Sequence, residues 1–303
     1  METKLITELK DIAYKRDRPY ILVGTHDGTF HADELCAIAV LQEALPKDIE
    51  VRVLRSRDGS TLSRCDIVVD VGGGRYDHHG PDNKHYPNGV PYSALGKVLD
   101  DVEPSSQLRN FILWDWGYAI QAYDNGMYQL PPGIEQSKMR WVNAMNPTWD
   151  EHLSQAEVQD RFDETLAMVR KVYRRIRVQC QARILSQQVL QNCPVYARRF
   201  VELPVNGCPW QQYAFKHREI LGAYHQDEHG HWVVRVAKDN PVMAGTRIDF
   251  PAEWGGKERK ELEAVSHIKG ALFCHRALYM AIFETKEGAQ HAMRILSSLH
   301  GLS

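Results

Sequence analysis

Short β-branched runs and helix-spaced apolar residues alternate along the first part of the chain. Tyr20-Ile21-Leu22-Val23-Gly24 predicts a strand. Leu35, Ile38, Ala39, Leu41 and Leu45 then mark the apolar face of a helix that Pro46 ends. Val51-Arg52-Val53-Leu54 predicts a second strand. Ile67, Val68, Val69 and Val71 predict a third, stopped by Gly72-Gly73-Gly74. Strand, helix, strand at this spacing is the βαβ unit of a parallel sheet. The loop after the first strand and the end of the third then open on one sheet edge, where such sheets place ligand-handling groups.

From Tyr92 the pattern turns helical. Ser93 to Leu99 and Gln107 to Asp124 predict helices, the second burying Phe111, Ile112, Trp114, Tyr118, Ile120 and Ala122 and stopping at Asp124-Asn125-Gly126. Ser154-x-x-Glu157 is a capping box. The helix it opens carries Val158, Phe162, Leu166, Val169, Tyr173, Ile176, Ile184 and Leu185 toward Cys193-Pro194, a length that predicts a bend or break. Beyond it the pattern becomes short strands between Gly, Pro and Asn turns, at 194–196, 200–204, 212–215 and 232–236. Leu272-Phe273-Cys274-His275-Arg276 is strand-like, and Glu287 to Leu299 is a closing helix. Three segments follow: a parallel-sheet domain at 1–153, a connecting helix at 154–193 and a smaller α+β domain at 194–303.

Hydrophobic content of 43% and charged content of 25% are those of an ordinary globular protein, and 303 residues bury a substantial core. A net charge of −2 argues against a generic duplex-DNA binder but leaves room for a local basic cleft. No apolar run is long enough to span a bilayer, and the first residues lack a secretory signal's apolar core, so no membrane partner and a cytoplasmic location are expected. The six cysteines are scattered, without a Cys-x-x-Cys pair, and read as reduced core residues. Tyr224 to His231 holds three histidines and reads as a polar hairpin tip rather than a metal site.

The chemistry concentrates at Asp70 and at Asp77-His78-His79, a carboxylate at a strand end followed by a mixture of oxygen and nitrogen donors. Divalent transition metals want that mixture. The other reading is a turn-capping Asp70 and a histidine pair on a wet loop. The βαβ reading brings His26, His31 and Asp33 to the same edge and favours one site. Asp124 is either a turn residue or a further ligand. Arg170, Lys171, Arg174, Arg175 and Arg177 crowd the long helix as a solvated face or as a track for a phosphate backbone. Trp210 and Tyr213 read as core residues or as base-stacking aromatics.

Four pieces together resemble the DHH phosphoesterase superfamily, most closely its MYG1 branch: Gly24-Thr25-His26-Asp27-Gly28-Thr29-Phe30-His31-Ala32-Asp33-Glu34, Asp66 to Gly73, Tyr76-Asp77-His78-His79 and Tyr123-Asp124-Asn125-Gly126. Weaker matches at Glu202-Leu203-Pro204, Cys208-Pro209-Trp210, Phe273-Cys274-His275 and Thr285-x-Glu287-Gly288-Ala289 extend the similarity almost end to end. The resemblance implies an α/β fold with a DHH-type parallel-sheet domain, joined by the long helix to a DHHA1-like domain. It also implies two divalent ions, manganese first, with magnesium or cobalt as alternatives. Carried over by position, His26 and His31 hold one metal, Asp33 and His78 the other, Asp70 bridges them and Asp124 completes the set. His31 stands where many DHH proteins carry aspartate, which makes the first site richer in nitrogen.

Two divalent ions roughly 3.5–4 Å apart clamp the attacking and leaving oxygens of a phosphoryl displacement, and a shared carboxylate suits Asp70. His79 is the candidate proton donor to the leaving oxygen, with a hydrogen-bonding role as its alternative, and Asp77 the candidate for orienting a ligand histidine. His275, Arg276 and Arg247, with Arg174 on the long helix, are candidates for gripping substrate phosphate. The resemblance implies a 3′→5′ exoribonuclease acting on RNA or short oligonucleotides. A small phosphoester or pyrophosphate hydrolase, and a metal-stabilised RNA-binding protein without turnover, are the competing readings. The final and connecting helices would suit a homodimer.

Overall fold

The computed structural model describes residues 2–80, 83–135, 139–240 and 245–301. Packing divides the chain into two compact units, Met1–Gln181 and Ala182–Ser303.

The first unit is built on three parallel strands in the order β2-β1-β3: β1 (Tyr20–Thr25), β2 (Glu50–Arg55) and β3 (Ile67–Val68). Val23 pairs with Val53 on one side and Ile67 on the other, so the central strand is buried by its neighbours. Before it lies α1 (Lys4–Tyr14), and between β1 and β2 runs α2 (Ala32–Ala44). From Ala32 to Leu41 every residue of α2 is buried, as expected of a helix enclosed on all sides. A short α3 (Gly59–Leu62) precedes β3, followed by α4 (Ala94–Val102) and α5 (Ser106–Ile112). A wider turn of π type at Leu113–Gly117 leads into α6 (Tyr118–Asp124), and a single turn α7 (Trp141–Ala144) comes after.

Two expectations change here. The third strand ends at Val68, not Val71: the N–H of Val69 still reaches Gly24 O (2.9 Å), but that of Asp70 goes to Tyr76 O (3.0 Å). Asp70 therefore sits in a left-handed turn (φ 62°) just outside the ladder. The long helix α8 (Gln155–Leu190) is one continuous helix with no break. It contains no proline or glycine, and Ser154 and Glu157 cap each other at its start, the Ser154 N–H donating to Glu157 Oε2 (2.8 Å) and the Glu157 N–H to Ser154 Oγ (3.3 Å). The boundary between the units falls inside α8, ahead of the composition change at Cys193. The last turns of the helix pack on the second unit, with Leu190 in its core and Ser186 Oγ donating to Pro209 O (2.6 Å).

The second unit is a six-stranded mixed sheet: β4 (Val195–Tyr196), β5 (Phe200–Glu202), β6 (Gly222–Gln226), β7 (Trp232–Val236), β8 (Ala271–Cys274) and β9 (Met280–Phe283), in the order β4-β5-β6-β7-β9-β8. Successive residues face opposite sides. Phe200 and Tyr224 join a core with Phe283, Met293 and Leu296, whereas Val201 and Ala223 join one with Trp210 and Ile220. The expected strand at 212–215 is a helix, α9 (Gln211–Lys216), because Tyr213 and Ala214 are buried in succession rather than alternately. Trp210 and Tyr213 are core residues there. The histidine-rich segment is a hairpin tip, its turn held by Asp227 N–H to His231 O (2.8 Å). Beyond α10 (Arg259–Ser266), α11 (Lys286–Leu299) buries Ala289, Ala292, Met293 and Leu296 against the sheet. All six cysteines are free thiols, and among the described residues no helix is long and apolar enough to cross a membrane.

Candidate metal centre

Parallel β1 and β3 end on the same edge, and the segments leaving them carry the donors. The loop after β1 is pinned at Phe30, whose N–H donates to Asn146 Oδ1 (2.8 Å) while Asn146 Nδ2 donates to Phe30 O (2.7 Å). His26 donates its Nδ1–H to Asp27 O (3.0 Å), since a carbonyl only accepts. Its Nε2 faces Glu34 Oε1 (3.4 Å) and Asp70 Oδ2 (3.5 Å). His31 stands at the N-cap of α2, its N–H donating to Glu34 Oε1 (2.6 Å) and its ring 5.4 Å from that of His26.

Asp33, on the first turn of α2, is fully buried. Its carboxylate accepts from the Ala94 N–H (2.8 Å), the Leu95 N–H (3.0 Å) and the Ser93 hydroxyl, so the N-terminus of α4 fixes it. His78 lies between carboxylates, with Nδ1 3.1 Å from Asp70 Oδ1 and 3.9 Å from Asp33 Oδ2, and Nε2 2.9 Å from Asp124 Oδ2. Asp77 orients His79 rather than His78. It takes the His79 backbone N–H (3.0 Å) and contacts His79 Nδ1 (2.7 Å), while its other oxygen accepts from the Gly73 N–H (2.7 Å). The His79 ring stacks on that of His78 at 4.3 Å and remains exposed.

The donors fall into groups whose ligand atoms lie within 4.8 Å of one another: His26, His31, Glu34 and Asp70 in one, Asp33, Asp70, His78 and Asp124 in another, and Asp70, Asp77, His78 and His79 in a third. Asp70 belongs to all three. These side chains fit divalent cations on three counts. First, Glu34 Oε2, Asp70 Oδ1 and His78 Nδ1 are buried without a hydrogen-bond partner. Second, the last two are only 3.1 Å apart yet not aligned as donor and acceptor, as expected of atoms turned toward a common point. Third, among the described residues none of the carboxylates of Asp33, Glu34, Asp70 and Asp124 is ion-paired with lysine or arginine; their partners are histidines.

The electrostatics express the same excess of negative charge. Burial, reinforced by Asp124 and Asp70, pushes the Asp33 carboxyl well above its usual range, and burial with Asp70 does the same to Glu34. Burial would also raise Asp70, but contacts from His26 and His78 override it and hold its carboxyl at about 2. Burial would lower His78, yet Asp124 and Asp70 carry it up to about 10. Burial lowers His31.

A cavity of about 450 Å³ opens over this cluster, lined by His26, His31, Asp70, His79 and Asp124 together with Arg57, Tyr123, Asn143 and Asn146. Arg174, expected to grip phosphate, is not among its lining. Arg174 Nε and Nη2 both engage Glu43 (2.9 Å each), Arg170 shares that carboxylate (2.6 Å), and Arg177 pairs with Glu103 (3.1 Å). Much of the basic face of α8 is thereby matched by acids of its own unit. In the second unit Arg247 donates to Ile220 O (2.7 Å), and His275 accepts the Ala277 N–H on Nδ1 (3.0 Å) within the turn that also carries Arg276. The residues that sequence reasoning passed over are Glu34 and Arg57. Glu34 follows His31 by one helical turn, so spacing could have found it. Arg57, 3.3 Å from Asp27, had no local signal.

Residues 22–101 and 109–296 match the model of an uncharacterised protein family, UPF0160, the MYG1 exonuclease family. The chain belongs to this family. The first matched segment carries His26, His31, Asp33, Glu34, Asp70 and His78, and the second carries Asp124. Among curated members, the MYG1 exonuclease of Mus musculus is 28% identical over 354 residues, spanning 96% of this chain and 90% of that protein. The Homo sapiens MYG1 exonuclease is 28% identical, over 91% and 86% of the two chains, and a MYG1 protein of Chlamydia pneumoniae is 28% identical, over 92% and 98%. A crystal structure of RecJ with Mg2+ from Thermus thermophilus aligns with 99% of this chain and 52% of that one. At 14% identity and a TM-score of 0.25, that likeness is too low to bear on the fold.

Proposed function

We propose that this protein is a divalent-metal-dependent phosphodiesterase that removes nucleotides from the 3′ end of RNA or short oligonucleotides. The carrying observation is Asp70, a buried carboxylate common to the donor groups at the sheet edge, with an oxygen left unpartnered. Membership of a family whose mammalian members are named exonucleases supports the reading.

His26, His31 and Glu34 would hold one cation and Asp33, His78 and Asp124 another, with Asp70 shared. Two such ions, manganese by preference, supply an acidified water and neutralise charge on phosphorus. The protein's own residues do the rest. Asn146 holds the His26–His31 loop, and the α4 N-terminus fixes Asp33. Asp77 receives the Nδ1–H of His79, which lines the cavity and is proposed to deliver a proton to the leaving oxygen. Arg57 offers its guanidinium to a phosphate at the cavity wall.

The test is metal analysis of the purified protein coupled to product ladders from 3′- and 5′-end-labelled RNA and DNA with added Mn2+. Stepwise loss from the 3′ end of RNA is expected. Turnover of pyrophosphate or a small phosphoester, but not RNA, would replace the nuclease with a small-molecule hydrolase. Metal-dependent binding without any product would make it a binding protein.

A further inference from the structure

Beside the metal centre lies a second, more apolar cavity that the chemistry just described does not use. After Asp124 the chain turns at Gly126 (φ 67°) and continues through Met127, Tyr128 and Leu130. With Tyr123 and Arg140 these residues enclose about 370 Å³. Tyr123 lines both this space and the cavity over the donors, so the two are neighbours at this residue. It comes immediately before Asp124, yet it is 46% exposed on a helix whose neighbouring Ile120, Gln121 and Ala122 are buried. The ring is nonetheless held in place. Its hydroxyl accepts from Asn143 Nδ2 (2.9 Å), and the Arg140 guanidinium lies 5.8 Å from its centroid.

A fixed aromatic plane, walls of methionine and leucine and a nearby cation suit a flat heterocycle with polar edges. A bare phosphate would find too little polarity there. We propose that this cavity is the subsite for the nucleobase attached to the phosphate under attack, the base stacking on Tyr123. The inference rests on the phosphodiesterase reading and specifies its substrate as base-bearing. It makes Tyr123 a positioning residue for nucleotides, tolerant of base identity because every base offers a π face.

The test is calorimetric titration of the full-length protein, in Mn2+, with AMP and with ribose 5-phosphate. AMP is expected to bind about tenfold more tightly, the worth of one stacked base. In Tyr123→Ala, AMP affinity falls to that of ribose 5-phosphate, which itself stays within twofold of wild type. Tyr123→Phe, which keeps the ring and loses only the Asn143 contact, retains most of the preference. Leu130→Glu, a charge on the apolar wall, weakens AMP alone and provides the same readout should Tyr123→Ala fold poorly. Equal affinities in the wild type, or a preference that survives both Tyr123→Ala and Leu130→Glu, overturns the subsite. The RNA ladder answers separately: cleavage without AMP preference keeps the nuclease and removes the subsite, and AMP preference without cleavage does the reverse.

Discussion

Replacing Asp70 by asparagine probes the carboxylate common to all three donor groups, the proposed shared ligand. Asparagine has the same shape and also tolerates the left-handed backbone found there (φ 62°), so the turn survives while one negative charge is lost. A unit charge about 4 Å from another, at an effective dielectric near 20, is worth about 4 kcal/mol. That corresponds to about a thousandfold in affinity. A dication doubles the interaction, and the retained amide oxygen and the remaining donors offset part of it, so a thousandfold is the expected scale. In the metal-free protein two effects oppose each other. Asp70 loses its attraction to His26 and His78, while Asp33 and Glu34 are relieved of a charge that pushes their carboxyls upward. The fold therefore persists. The assay is calorimetric titration of chelator-treated protein with Mn2+, paired with thermal melting and turnover of end-labelled RNA. Affinity should drop about a thousandfold and hydrolysis by orders of magnitude, with the metal-free melt preserved. Mn2+ binding within threefold of wild type would falsify the shared-ligand role.

Other substitutions test the surroundings. Glu34→Gln keeps an oxygen for the His31 N–H but removes a fully buried charge, so Mn2+ binding should weaken about 10–100-fold while the metal-free protein melts higher; unchanged affinity would reduce Glu34 to a helix cap. Gly96→Ala places a methyl 2.1 Å from Gln121 Oε1 and 2.4 Å from Tyr86 OH, so the urea midpoint should fall by the equivalent of about 1–3 kcal/mol, and a wild-type midpoint would contradict this packing. Asp66 is raised by burial but lowered further by Arg16 (2.7 Å and 2.8 Å) and the Leu22 N–H (2.8 Å), so its carboxyl lies below the ordinary range. Its contribution is therefore present above about pH 4 and lost as pH falls through the depressed value. Asp66→Asn should cost about 1–3 kcal/mol at neutral pH, with the gap closing in acid; a gap independent of pH in urea melts would rule out the ion pair as its source.

The hydrophobic pattern carried the first βαβ unit, the histidine-rich hairpin and the closing helix, because each rests on a period or a turn within a few residues. It failed where the answer lay across space. Val69 and Val71 look like a continuing strand, but the Asp70 N–H finds Tyr76 O instead of a ladder partner. Tyr213 and Ala214 lie in a strand-like stretch until their consecutive burial makes a helix. The basic run of α8 reads from sequence as a solvated face or as a phosphate track, and it carries no sign that Glu43 and Glu103, far away in sequence, pair with three of its arginines.

The sequence by itself determined the family, the parallel α/β arrangement and the donor types offered at one sheet edge. Only the tertiary structure decided that Glu34 joins them, that Asp77 serves His79, and that Tyr123 stands between two cavities. The reason is physical: strand and helix periods are written in neighbouring residues, whereas a lone pair's direction depends on what packs around it.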